Sequence, residues 1–272
     1  MESRNLAIEQ VLVLVSAALY GAAAIWSEVA AVSGRRVGWA CRALVAGGLA
    51  VHSAALALRA AHVRRLPMGY LPEISSTVAW LTASAYLVLE WRGRLTSLGA
   101  FVLPVAMALA GVSAADAGRG IQDTKARSVL LAIHAGAALA GVALFVLAAA
   151  LAAMFLYQDR ALKKHRLSRM MPPVRQLEQM AYTIVGIGFI CLTISLALGV
   201  YLASRWGQNW ARQPSVLLSA VLWGVFAVLF HVRLARAWLG RKVAYFTLAG
   251  FALAVVLVVL MLSGDTLHWF LK

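Results

Sequence analysis

Charge is what this chain has least of. Only 13% of its 272 residues are charged, and Asp and Glu together number 10. An ordinary soluble domain carries about 25% charged residues, so a water-facing surface of the usual kind is excluded. Cysteine is scarce as well. Cys41 and Cys191 lie in separate apolar runs and form no Cys-x-x-Cys pair, which argues against a disulfide framework and dithiol redox chemistry. Polar stretches are short and leave almost no room for a soluble domain. What is abundant is apolar sequence, 62% of the chain, in runs of the roughly 20 residues needed to cross about 30 Å of hydrocarbon. These features predict an all-α integral membrane protein, a bundle of about eight transmembrane helices forming a single transmembrane domain over residues 1–272.

The expected spans are Leu6–Ala30, Val37–His62, Glu73–Glu90, Leu98–Val112, Ser128–Tyr157, Met180–Ala203, Pro214 to near Arg233, and Val243–Leu262. The longest polar segment, Gln158–Gln179, carries Pro172-Pro173 and reads as a loop. The first residues, with Glu2, Arg4 and Glu9, lack the basic start of a signal peptide, so the first run is expected to stay as a span. Small residues four apart (Gly136/Ala140, Ala137/Gly141, Ser195/Gly199) suit close helix approach in lipid.

Lys and Arg number 25. In a soluble protein that excess would suggest nucleic acid; here the charges lie in short segments between spans, where they act as topology signals and touch anionic lipid. One set of alternate loops holds fourteen, from Arg35 and Arg36 through Arg160–Arg175 to Arg241 and Lys242; the other, with both termini, holds nine. The richer side is expected to be cytoplasmic. Both termini and the Arg205–Pro214 loop would then face outward from a bacterial-type inner membrane.

Five of six histidines lie in spans or at their ends, where ionisable groups are costly and mark candidate functional positions. His134 and His268 fall on the same expected side as the loop Arg205–Pro214; His62 ends the second span, His52 lies deeper in it, and His231 is near the cytoplasmic end of the seventh. Trp206 and Trp210, four apart and flanked by Arg205 and Arg212, would suit a flat ligand with apolar faces and carboxylates. They equally suit an interfacial aromatic belt.

Trp206, Gly207, Trp210 and Pro214 resemble, in register, the W-G-x-x-W-x-W-D-P signature of the CcsA/CcmC/ResC cytochrome c assembly family, which handles haem. Phe230-His231-Val232-Arg233-Leu234, Trp238-Leu239-Gly240-Arg241, Gly250-Phe251 and Leu262-Ser263-Gly264 followed by His268 resemble later family motifs. So do Pro67, Leu71, Glu73, Ala79 and Trp80, and Leu177-Glu178 through Leu192-Thr193. The resemblance runs roughly over residues 65–272. Arg212 and Gln213 replace the last Trp and the Asp of that signature; with the size and the eight spans, this loop looks closest to the HemX/YpjD-like branch.

The resemblance implies haem handling in c-type cytochrome maturation, with haem b held on the outer face by His134 and His268 as axial iron ligands. It assigns no catalytic residue. His52 is a candidate relay, as is His231, which matches a family position. Expected partners are haem, an assembly protein and apocytochrome c, besides membrane lipid; any enzyme would be the complex that ligates haem to apocytochrome. The alternatives are a HemX-like regulatory or scaffolding protein without haem, and a small-molecule permease, which would need a polar path that few span residues offer. Glu73 is expected at the surface end of its span, a helix-terminal carboxylate whose replacement by Gln changes little.

Overall fold

In the computed structural model, residues 2–33, 38–93, 97–115, 129–164, 172–206, 214–236 and 240–263 are described. They form α1 (Glu2–Ser33), α2 (Trp39–Val63), α3 (Leu71–Gly93), α4 (Gly99–Ala115), α5 (Val129–Lys163), α6 (Val174–Trp206), α7 (Pro214–Arg236) and α8 (Arg241–Ser263), with no strand among the described residues. The all-α membrane architecture expected from the sequence is the one observed. Within α1, α2, α5 and α6, the segments Leu6–Ser33, Trp39–Val63, Val129–Lys163 and Val174–Arg205 are long and apolar enough to cross a membrane. α4 is shorter, as is the apolar part of α7, Val216–His231.

The segment Gln158–Gln179 differs from expectation. α5 continues to Lys163 and α6 begins at Val174, so much of the expected loop is two helix ends. The reason is local. Residues 158–163 include Arg, Ala, Leu and Lys, all good helix formers. Pro173 sits where a helix needs no N–H, and its carbonyl accepts the first bonds, from Gln176 and Leu177.

The helices group into two compact units. The first comprises Met1–Asp123 and Met154–Leu177, the second Thr124–Ala153 and Glu178–Lys272. In the first, α1 packs on α2 and α4, α4 on α3, and α2 on α3. Its core is built from small residues, Ala17, Ala55, Ala79, Ala83, Ala106 and Ala110, around Tyr20. Lipid offers no hydrophobic drive for helices to associate, so close backbone approach and polar contacts hold them. Large residues such as Val11, Leu14, Ile25 and Val29 are exposed on α1, as a lipid-facing surface requires.

In the second unit α7 packs on α8. Its interior is aromatic: the rings of Phe145 and Phe226 stack at 4.0 Å, and Phe189 stacks on both Trp223 and Phe230. Gly141 lets α5 approach α6, since a Cβ there would lie 3.4 Å from the Gly188 carbonyl oxygen and 3.7 Å from Cys191. Gly136, one turn earlier, has nothing within 4 Å of such a Cβ. Of the expected small-residue contacts, the Gly141 approach is realised and a Gly136 approach is not.

Candidate haem-binding and polar sites in the two units

His134 lies on the second turn of α5, in the second unit, and is partly buried. Its Nδ1 is 2.7 Å from the Ser195 carbonyl oxygen on α6 and 3.3 Å from the Ser195 hydroxyl. A carbonyl only accepts, so Nδ1 carries the proton and Nε2 of the neutral ring carries the lone pair. Among the described residues Nε2 has no hydrogen-bond partner. The ring lies over Gly199, where a Cβ would come within 2.8 Å of Cε1. The Ser195/Gly199 pair of α6 therefore forms a seat: Ser195 orients the imidazole and Gly199 makes room for it. That is the state in which histidine binds a metal, with the other nitrogen anchored to a backbone carbonyl.

The other expected site residues are distributed differently. Arg205, near the end of α6, is exposed, and its guanidinium folds back on Tyr201, 3.3 Å from the hydroxyl and 5.4 Å above the ring. His231 is exposed on α7, five residues before Arg236. The backbone of Trp206 closes α6, while its side chain and the residues Trp210, Arg212 and His268 lie outside the described residues.

His52 belongs to the first unit and is fully buried. Nδ1 is 3.2 Å from the Tyr20 hydroxyl and Nε2 is 2.9 Å from the Ser76 hydroxyl. Both ring nitrogens are engaged, so neither is free for iron unless one of these contacts opens.

Glu73 departs most from expectation. It is 3% exposed, not a surface carboxylate. Oε1 accepts from Arg59 Nε at 3.1 Å; Oε2 accepts from Arg65 at 2.7 Å and from the Gly69 N–H at 2.8 Å. Arg59 also approaches Glu9 at 3.6 Å and lies over the Tyr70 ring. The cause is the connection between α2 and α3. Arg64 adopts a left-handed conformation that stops α2. The chain then folds back so that Pro67 accepts from Thr77, on the second turn of α3. Glu73 is thereby enclosed by the connection it organises. Helix-dipole stabilisation alone, about 0.3–1 kcal/mol, is the smaller effect here.

At the opposite end of this unit Arg42 pairs with the fully buried Glu90 at 3.0 Å. Nearby, Ser27 and Cys41 are in contact at 3.4 Å, and the Ser27 and Tyr86 hydroxyls converge over Gly99. Arg42 and Arg59 are the two basic residues inside spans that a count of loop charges leaves out. Their signal was available: a charge within a span needs a partner, and Glu73 and Glu90 start and end the next helix.

Comparison with known proteins adds to this geometry. The family described as "Cytochrome C assembly protein" matches residues 68–268. The chain belongs to that cytochrome c assembly family. The match takes in His134, the Arg205–Pro214 loop, Glu73 and His268, and starts after α1 and α2. A relative named "Cytochrome c biogenesis protein CcsA" from Guillardia theta is 24% identical over 209 residues, covering 68% of this chain and 69% of that protein. Proteins of the same name are 37% identical over 100 residues in Trichodesmium erythraeum and 35% identical over 100 residues in Synechocystis sp.. Each of these covers 35% of this chain, and the chain spans 28% and 30% of their respective lengths. No solved structure matches.

Proposed function

We propose that this family member takes part in cytochrome c biogenesis by holding haem on the outer face of an inner membrane, with His134 and His268 as its axial iron ligands. The observation that carries the reading is the His134 seat. Its Nδ1 is committed to the Ser195 carbonyl at 2.7 Å, and a glycine lies beneath the ring, leaving Nε2 as the coordinating nitrogen. Bound haem would supply the iron and the vinyl groups that apocytochrome thiols join. The chain's own residues would hold it: His134 by its fixed tautomer, Trp206 and Trp210 by their ring faces, Arg205 and Arg212 by pairing with propionates. To do this Arg205 must leave Tyr201, an exchange of one exposed contact for a charge-assisted one. The motif resemblance supports haem b as the ligand and apocytochrome c and an assembly protein as partners, while the relatives' names give cytochrome c assembly and biogenesis.

The test is visible absorption of the purified protein titrated with haem. The wild type is expected to bind with a Soret band, His134→Ala and His268→Ala to lose occupancy, and added imidazole to restore part of the spectrum. Unchanged spectra in both variants would overturn the ligand assignment. Reporter fusions after Lys164 should read cytoplasmic and those after Lys272 outside, from the fourteen-to-nine basic asymmetry; the reverse would put the loop on the wrong side.

Arg212 and Gln213, standing where the family motif has Trp and Asp, favour a second reading, a HemX-like regulator or scaffold that binds no haem. If the wild type fails to bind haem while Arg212→Trp with Gln213→Asp does bind, this second reading replaces the first.

A further inference from the structure

The first unit has a feature that haem binding does not use. Its buried polar side chains include a group towards each end and Thr82 between them. At the α2–α3 end, Glu9, Arg59, Glu73 and Ser76 line a cleft with Tyr70 and Ser113. Ser76 leads inward: its hydroxyl contacts His52 Nε2 at 2.9 Å, and His52 Nδ1 contacts the Tyr20 hydroxyl at 3.2 Å. At the α1–α2 end lie Ser27, Cys41, Tyr86 and the pair Arg42–Glu90. Helical rise puts Ser27 about 10 Å below Tyr20 along α1.

Three of the buried side-chain atoms that lack a hydrogen-bond partner among the described residues fall at the two ends and between them. They are Arg59 Nη2 in the cleft, Thr82 Oγ1 midway, and Glu90 Oε2 at the far end. Thr82 is fully buried. Along α3 it lies about 9 Å below Ser76 and about 6 Å above Tyr86, at the depth where the hydrogen-bonded chain is interrupted. Ala83, next to it in α3, packs with Ala106 against Tyr20, the inner end of the hydrogen-bonded chain. Buried polar groups are nearly always satisfied, and where protein offers no partner an ordered water is the usual one.

We propose that the first unit carries a proton path between its two ends, in which the Ser76–His52–Tyr20 chain and the Ser27–Tyr86–Glu90 group are joined by water held at Thr82. The chemistry suits the residues. A histidine with a hydroxyl on each nitrogen accepts a proton on one and releases it from the other, and the hydroxyls reorient to reset the chain. No bond other than O–H and N–H changes, and no oxidant is needed. The ion pairs Arg59–Glu73 and Arg42–Glu90 lie at the two ends of the path. The path is independent of the haem reading, since every residue in it belongs to the first unit.

The experiment uses the full chain reconstituted in vesicles loaded with a pH-sensitive dye, with a potassium gradient and valinomycin to set the potential. Proton uptake should exceed that of protein-free vesicles. Thr82→Val and Tyr20→Phe, each removing one hydroxyl at nearly constant shape, should bring it down towards the protein-free rate. Thr82→Ser, which keeps the hydroxyl, should retain uptake and so exclude misfolding as the cause. Ser53→Ala, which removes a hydroxyl bonded to the exposed Trp80 indole, should leave uptake unchanged. Uptake by the wild type no faster than protein-free vesicles, or equal uptake in the wild type, Thr82→Val and Tyr20→Phe, would overturn the proposal.

Discussion

The two units solve the same problem with different interiors. Both are made of apolar helices with lipid-facing side chains on the outside. The first fills its centre with alanines and closes its charges on one another, Glu73 with Arg59 and Arg65, Glu90 with Arg42. The second fills its centre with stacked aromatic rings over glycines and keeps one histidine with a nitrogen to spare. The lesson is about where a buried polar group can act. In the first unit His52 is held on both nitrogens by protein partners; in the second His134 is anchored on one side only and has a nitrogen available to a ligand.

The comparison breaks most visibly if the first unit's ion pairs are dispensable. Glu73→Ala removes the nearer partner of the buried Arg59 and leaves it only Glu9 at 3.6 Å, and removing one member of a buried pair costs about 3–5 kcal/mol. Unfolding of the purified protein should show a loss of that size, and replacing Arg59 and Glu73 together by Met and Leu should cost less than the single change. A negligible effect of Glu73→Ala would return the residue to the surface role its sequence position suggests.

The second unit should answer to aromatic packing instead. Phe226 is 1% exposed and stacks on Phe145; Phe226→Ala should cost about 3 kcal/mol through the cavity it leaves. A loss under about 1 kcal/mol in the same unfolding assay would mean that the stack collapses freely and is not the unit's core.

Gly199→Ala sharpens the contrast, because it separates binding from stability. The added methyl lies 2.8 Å from the His134 ring and must displace it. A helix interior gains about 0.5–1 kcal/mol from Gly to Ala, which offsets part of the strain, so stability should change little while the haem spectrum and occupancy change clearly. An unaltered spectrum would show that the seat does not position the ligand.

The smallest effect is expected at the exposed Trp223, whose indole donates to Thr193 at 3.0 Å. Interhelical hydrogen bonds in membranes average about 0.6 kcal/mol, and Trp223→Phe should cost no more than that. A larger loss would mean that the second unit relies on polar contacts as the first does.

Much of the fold was legible because apolar runs of membrane length have few alternatives to a helix. The expected span from Leu98 to Val112 and the observed α4, Gly99–Ala115, differ by three residues at most. The ends of α5 and α6 were misplaced because helices extend past the apolar run wherever helix-forming residues follow it. His134 was legible as a candidate by its type and position. Its tautomer was not, since that depends on the Ser195 carbonyl 61 residues away. Glu73 was legible as a motif residue but not as a buried one, because its burial comes from the returning connection after Arg64.

By itself the sequence determined the class of the molecule, its helices and its family, since these follow from local apolarity and from motifs in order along the chain. Tertiary structure alone decided which polar residues face one another across helices. His52 and His134 are both histidines within apolar runs. Packing gives the first Tyr20 and Ser76 on its two nitrogens and gives the second Ser195 on one. Hydrogen bonding is short-ranged and directional, so the difference between a filled and an available imidazole exists only once the helices are in contact.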